Sequence, residues 1–205
     1  MVVIIDYGMG NVGSLVKVLN SLKVNNKVVT KRDELKNASK IILPGVGNFS
    51  KAMENIKSRG YLDEIISLVK KDKIPILGIC LGMQLLFEKS YEFQKNKGLS
   101  LINGEVIKFT SSKVHKTHLG WNNISLEKNN FKKYFKKFEN KNFYFVHSFF
   151  TNPTNKKEVF ATTRHGNQKF CSIIKKNNIF GTQFHPEKSG LTGIEFLKNL
   201  KHLKN

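Results

Sequence analysis

Between Pro75 and Gln84 the chain reads Pro-Ile-Leu-Gly-Ile-Cys-Leu-Gly-Met-Gln, a strand-length apolar run that delivers Cys80 with a glycine two residues to either side. A strand that turns sharply into a helix holds its apex residue in a strained backbone conformation, and neighbours carrying side chains collide there. Gly78 and Gly82 are therefore what such an elbow requires, and the pattern ties the chain to a fold in which a strand ends, and a helix begins, at the cysteine. At a helix N-terminus the unpaired N–H groups favour thiolate over thiol and can also receive an oxyanion. Taken alone, Gly-x-Cys-x-Gly is equally compatible with a buried cysteine in a tight turn, since free cysteines are mostly core residues.

The surrounding periodicity supplies the sheet. Val2 to Asp6, Lys27 to Thr30, Lys40 to Leu43 and Pro75 to Ile79 read as strands. Helical patterns at Val12 to Leu22, Phe49 to Lys57 and Tyr61 to Lys71 separate them. Strand alternating with helix predicts a parallel sheet. The second half changes to shorter strands, near Gly104 to Phe109, Asn123 to Leu126, Phe143 to Val146, Glu158 to Thr163, Phe170 to Lys175 and Ile179 to Phe184, before a closing helix from about Leu191 to Leu203. The expectation is an α/β fold, a three-layer sandwich whose central, mostly parallel sheet is extended by part of the second half. Neither a repeat nor a linker interrupts it, so residues 1–205 are expected to form one domain. In such sheets ligands bind at the carboxyl ends of the strands, where both Cys80 and His185 fall.

A second motif bears on the cysteine. The apolar run Ile179 to Phe184 leads into His185-Pro186-Glu187, and a cysteine with a histidine and an acid elsewhere in the chain is the pattern of a thiol hydrolase. Residues two apart in an extended segment point the same way, and Pro186 restricts His185 to extended backbone. Glu187 is thus expected to orient the imidazole through one ring nitrogen while the other faces sulfur, giving a Cys80, His185, Glu187 triad.

Pro44-Gly45-Val46-Gly47, Gly78-Ile79-Cys80-Leu81-Gly82-Met83-Gln84 and Phe184-His185-Pro186-Glu187-Lys188-Ser189 resemble the three signature blocks of the triad, or class I, glutamine amidotransferases. Asp6 to Asn11, His118 to Asn122, Phe145 to Ser148 and Lys188-Ser189 resemble, within that family, the glutaminase subunits of imidazole glycerol phosphate synthases. The blocks follow the family order from end to end. This resemblance implies a flavodoxin-like fold that hydrolyses L-glutamine to L-glutamate and ammonia through a Cys80 thioester, without a cofactor. It further implies an oxyanion hole from the backbone N–H of Leu81 and one of Gly45 or Val46, with the substrate held by Gln84, Gly47 and backbone near Ser148. Asn11, Trp121 and Lys188 would border the docked partner and the ammonia route. That partner is a (β/α)₈-barrel cyclase of histidine biosynthesis, paired as a heterodimer. Two segments depart from the family pattern: Lys116-Thr117-His118 lacks a proline, and Arg164-His165-Gly166 stands for an aromatic and glycine pair. Paralogues that feed ammonia to synthases amidinating bacterial surface sugars are the alternative within the family.

Composition tests other classes. The formal net charge of +20 invites a nucleic-acid reading. Arginine, the preferred reader of phosphates and bases, occurs only at Arg32, Arg59 and Arg164, so the excess is dispersed lysine, and no nucleic-acid partner is expected. The densest stretch, Lys128 to Lys141, is read as a short amphipathic helix burying Phe131, Tyr134, Phe135 and Phe138. No run is long and apolar enough for a membrane span and no signal peptide precedes the first strand, so a cytoplasmic protein is expected. Cys171 lies in a stretch read as a core strand and is not expected to pair with Cys80. His115, His165 and His202 lack convergent ligand spacing, and no metal is predicted. Gly8-Met9-Gly10-Asn11-Val12-Gly13 matches a dinucleotide fingerprint. Asp6 and Tyr7 interrupt the apolar approach to it, and it leaves the elbow and the histidine motif unexplained.

Overall fold

The computed structural model describes residues 1–110, 116–127 and 135–202. The first half alternates β1 (Val2–Ile5), α1 (Val12–Ser21), β2 (Asn26–Val29), β3 (Lys40–Leu43), α2 (Phe49–Ser58), α3 (Tyr61–Lys70), β4 (Ile76–Ile79) and α4 (Leu81–Leu85). The second half is mostly strand: β5 (Phe87–Ser90), β6 (Asn96–Lys97), β7 (Ile102–Lys108), β8 (His118–Asn123), β9 (Ser125–Leu126), β10 (Asn142–His147), β11 (Phe149–Pro153), β12 (Val159–His165), β13 (Gln168–Lys176) and β14 (Ile179–Thr182). A last helix, α5, covers Gly190–Lys198.

The central sheet has eight strands in the order β2-β1-β3-β4-β14-β13-β12-β9. The first five run parallel, and β13, β12 and β9 continue the sheet antiparallel. Side-chain parity builds a core on each face, as a period of two demands. Val3, Ile5, Ile41, Leu43 and Ile76 pack with α2 and α3, while Val2, Ile4, Ile42, Leu77 and Ile79 pack with Leu15 and Leu19 of α1 and Phe196 and Leu197 of α5. This is the expected three-layer arrangement. Two smaller sheets, β11-β7-β5-β6 and β10-β8, stand beside it.

The expected strands and helices of the first half appear within about a residue of their bounds. In the second half β5, β6 and β11 went unread, and the strand expected over Asn123 to Leu126 is reduced to Ser125–Leu126 behind a longer β8. The reason is compositional: His-Leu-Gly-Trp-Asn-Asn is poor strand material, and β8 exists because β10 pairs with it residue for residue, Trp121 opposite Tyr144. The helix after the elbow is only five residues long before β5 begins. Of the stretch read as an amphipathic helix, Phe131 and Tyr134 lie outside the described residues. Phe135 and Phe138 are buried against Phe196, and Phe143 stacks on Phe184 with ring centroids 4.1 Å apart. That aromatic block anchors the chain immediately before His185. Among the described residues no helix is long and apolar enough to cross a membrane.

Candidate active site

Cys80 occupies the turn from β4 into α4 at φ 53° and ψ −108°, a region costly for any residue with a side chain. Its N–H donates to Thr182 O at 2.7 Å, so β14 holds the strained apex in place. The flanking glycines are sterically required. A Cβ on Gly82 would lie 1.8 Å from the carbonyl oxygen of Leu43, and one on Gly78 would lie 2.5 Å from that of Gly82. Backbone therefore touches backbone on both sides of the nucleophile.

His185 arrives three residues after β14. Its N–H donates to Tyr144 O at 2.9 Å and its carbonyl accepts from Ser189 Oγ at 2.6 Å. The residue is extended, as its proline neighbour requires. The extension does not continue to Glu187, as read from the sequence: Pro186–Lys188 form a 3₁₀ turn, and that turn brings Glu187 Oε1 to 2.8 Å from His185 Nδ1. Both side chains are almost fully buried, at 1% and 4% exposure. Burial alone would lower the imidazole's proton affinity, but negative charge at Cys80 and the Glu187 carboxylate outweigh it and push His185 up to about 10. With Nδ1 committed to Glu187, Nε2 makes no hydrogen bond of good geometry among the described residues, and Cys80 is the group it interacts with. Cys171, by contrast, is buried in β13 and pushed up to about 12 by burial. Both cysteines are free.

A cavity of about 1020 Å³ opens over Cys80 and His185, and Val46, Gly47, Leu81, Gln84, Ser148 and Lys188 also line it. Gly45 lies behind its wall, with no room for a Cβ against Tyr7 Oη and Gly82 N. Tyr7 Oη donates to Pro44 O at 2.8 Å and so pins the loop that carries Val46. Leu81 is the first residue of α4, where a backbone N–H has no intrahelical acceptor. Gln84 spends the hydrogens of Nε2 on Phe149 O at 2.9 Å and Gln183 Oε1 at 3.2 Å, leaving Oε1 to accept from a ligand. Ser148, whose backbone region was read as holding substrate, also lines the cavity, and its hydroxyl bonds Thr117 Oγ1 at 2.7 Å. Of the remaining expected residues, Trp121 is 58% exposed, and Asn11 caps α1 by accepting from Ser14 N. The dinucleotide reading fails locally, because a Cβ on Gly13 would meet open space where the fingerprint's third glycine serves close helix–strand packing.

Sequence reasoning missed Glu92 and a pair of histidines. Glu92 is the one acid among the cavity-lining residues, its Oε2 accepting from Phe49 N at 2.7 Å; a lone glutamate in a loop carries no pattern. His147 Nδ1 lies 2.8 Å from Phe149 O, its Nε2 lies 3.1 Å from His118 Nδ1, and His118 Nε2 lies 3.1 Å from Asn122 Nδ2. A carbonyl can only accept, so each ring donates from Nδ1 and accepts at Nε2, and both are neutral. Burial lowers His147 to about 3 and His118 to about 4.

An acid-stability prediction follows. Below the unfolded value near 6.5 the unfolded chain binds a proton that buried His147 refuses, so stability is held above that value and lost as pH falls. Between pH 7 and pH 5 the loss from His147 is about 2 kcal/mol. Urea titrations at the two pH values should show His147→Gln losing less than the wild-type chain by roughly that amount, and equal losses would contradict the burial argument.

The family model for class-I glutamine amidotransferases matches residues 3–202. The chain is 44% identical over 207 residues to imidazole glycerol phosphate synthase subunit HisH of Methanocaldococcus jannaschii, covering 99% of this chain and all of that one. It is 42% identical over 200 residues to subunit HisH 2 of Methanococcus maripaludis, covering 97% and 98%. Among solved structures, a glutamine amidotransferase superposes with TM-score 0.76 at 18% identity over 99% of this chain and 98% of that one. PurLQS from Thermotoga maritima gives 0.73 at 20% identity over the same shares; these two speak to the fold. The chain belongs to the class-I glutamine amidotransferases, within the group that holds the HisH subunits of imidazole glycerol phosphate synthase.

Proposed function

We infer that this chain is the glutaminase subunit of an imidazole glycerol phosphate synthase, hydrolysing L-glutamine to L-glutamate and ammonia. The observation that carries the chemistry is the commitment of His185 Nδ1 to Glu187 while Nε2 is left to Cys80 at a strained elbow beneath the cavity. The proton drawn from the Cys80 thiol resides on His185 Nε2, and sulfur attacks the side-chain amide carbon. The resulting oxyanion is held by the N–H of Leu81 and one from the Gly45-Val46 loop; losing one such donor costs about 3 kcal/mol. His185 returns its proton to the leaving nitrogen, ammonia departs, and a thioester remains. Water, deprotonated by the same nitrogen, then releases glutamate through a second oxyanion. Glu187 stays ionised and fixes the ring. The substrate's ammonium suits Gln84 Oε1 and the Glu92 carboxylate, and Gly47 and Ser148 flank the same space.

Ammonia is mostly protonated at neutral pH, so it has to pass directly to a second active site. The HisH names support a subunit that works with a partner, and in this reading the partner is the barrel cyclase of histidine biosynthesis, docked as a cytoplasmic heterodimer. Lys188 at the cavity, the exposed Trp121 and Asn11 would face it, with residues 1–205 acting as one amidotransferase domain. The test is glutamine hydrolysis with and without that cyclase and its phosphoribulosyl ligand. Strong stimulation is expected; hydrolysis indifferent to the cyclase would place the chain with a different synthase.

His185→Ala removes the proton carrier and Glu187→Gln only its orientation. The alanine variant should lose at least about tenfold more kcat than the glutamine variant. Equal losses in steady-state assays would mean that the carboxylate does more than orient.

A further inference from the structure

Gln183 is fully buried, lies outside the cavity lining, and has no part in the mechanism above. Its amide nevertheless touches both halves of the site. Nε2 stands 3.7 Å from Cys80 Sγ, within donor range of sulfur, and Oε1 accepts from Gln84 Nε2 at 3.2 Å. The two contacts are chemically coupled: because Gln84 donates its second hydrogen to Phe149 O, the Gln183 oxygen has to face Gln84, which turns its N–H toward the sulfur. Sulfur also lies 3.8 Å from Val146 O, which can accept from the thiol but gives nothing to a thiolate. The Gln183 N–H does the reverse.

We propose that Gln183 is a positioning residue that joins the two functions of the site, donating to the Cys80 thiolate through Nε2 and fixing, through Oε1, the amide of Gln84 so that its carbonyl faces the substrate. This deepens the glutaminase reading and rests on it for the substrate half alone; the sulfur half concerns the thiol whatever the enzyme acts on. In the protonated state sulfur turns to Val146 O, and on losing its proton it gains the Gln183 donor. A charge-assisted bond of this kind favours the ionised form. Gln183 also sits two residues before His185 and follows Thr182, which binds the Cys80 N–H, so the end of β14 sets base, sulfur donor and elbow together.

The test separates the two contacts with two substitutions. Gln183→Met keeps the length of the side chain and removes both hydrogen bonds. Gln183→Glu keeps the acceptor for Gln84 and replaces the donor to sulfur with an oxygen. Iodoacetamide labelling of Cys80 across pH, located by mass spectrometry, reads the sulfur half, and KM for glutamine reads the other. In both variants the pH midpoint of labelling should rise by about one unit, so that labelling below the wild-type midpoint slows about tenfold. KM should rise several-fold in the methionine variant and stay near the wild-type value in the glutamate variant. Should the methionine variant fail to fold, the glutamate variant alone decides the sulfur contact. An unchanged labelling profile in a folded variant overturns the proposal, since a purely structural role would lower Tm without moving it. Wild-type protein that labels normally but releases no ammonia from glutamine would instead count against the glutaminase reading.

Discussion

Cys80→Ala should reduce ammonia release from glutamine by more than about 10⁴-fold while leaving the thermal transition close to that of the wild-type chain. The size follows from the mechanism: without sulfur there is no thioester, and the remaining oxyanion donors and substrate contacts cannot replace a covalent step. The fold should tolerate the change because alanine keeps the Cβ in the same backbone position, and the N–H bond to Thr182 O that holds the elbow is untouched. Removing the side chain also relieves the buried His185 of the negative charge that, with Glu187, sustains its proton. The imidazole of the variant should therefore titrate lower than in the wild type, a shift that NMR of the ring carbons can follow. Retention of more than a few per cent of wild-type activity would remove Cys80 as the nucleophile.

Gly82→Ala is expected to be among the most damaging single methyl groups that can be added to the described residues. Its Cβ would be placed 1.8 Å from Leu43 O and 2.8 Å from Leu43 C. The obstacle is the backbone at the end of β3, which leads directly into the Pro44-Gly45-Val46-Gly47 loop. Relief requires β3 and the elbow to separate, so the loss should reach at least about 4 kcal/mol, in the exceptional range for a point substitution. Protein that still folds should hydrolyse glutamine at least about 100-fold more slowly, because the loop bearing the second oxyanion donor is displaced. Gly13→Ala is the control: apart from its chain neighbours and the helix's own backbone, no atom of the described residues lies within 4 Å of the added Cβ in α1, and alanine at this exposed position should stabilise the helix by up to about 1 kcal/mol. Denaturant melts of the two variants give opposite signs if packing at the elbow is the cause.

The contrast between these glycines shows what the sequence makes legible. Steric necessity leaves a mark in residue type, so Gly78, Cys80 and Gly82 announce an elbow, and continuous apolar runs announce the parallel strands buried on both faces. His185 and Glu187 were readable as a pair, yet the turn that joins them was not: proline restricts the residue before it, and the return of Glu187 depends on Ser189 bonding the His185 carbonyl. β8 was invisible because its glycine and asparagines form a strand only when β10 lies alongside. Glu92, Gln183 and the His147–His118 pair were missed for a similar reason. Each takes its role from a partner 29 or more residues away in the chain, and single-residue patterns hold no trace of such pairings. Tyr7, read in the sequence within a family segment and as an obstacle to a dinucleotide fingerprint, bonds Pro44 O and braces the loop beside the nucleophile.

The most direct test of the central claim is to expose the wild-type chain to an electrophilic glutamine analogue and locate the adduct by peptide mass spectrometry. The account predicts one adduct, on Cys80, with Cys171 unmodified and labelling suppressed by added glutamine. An adduct on Cys171, or labelling of Cys80 that glutamine does not slow, would contradict it.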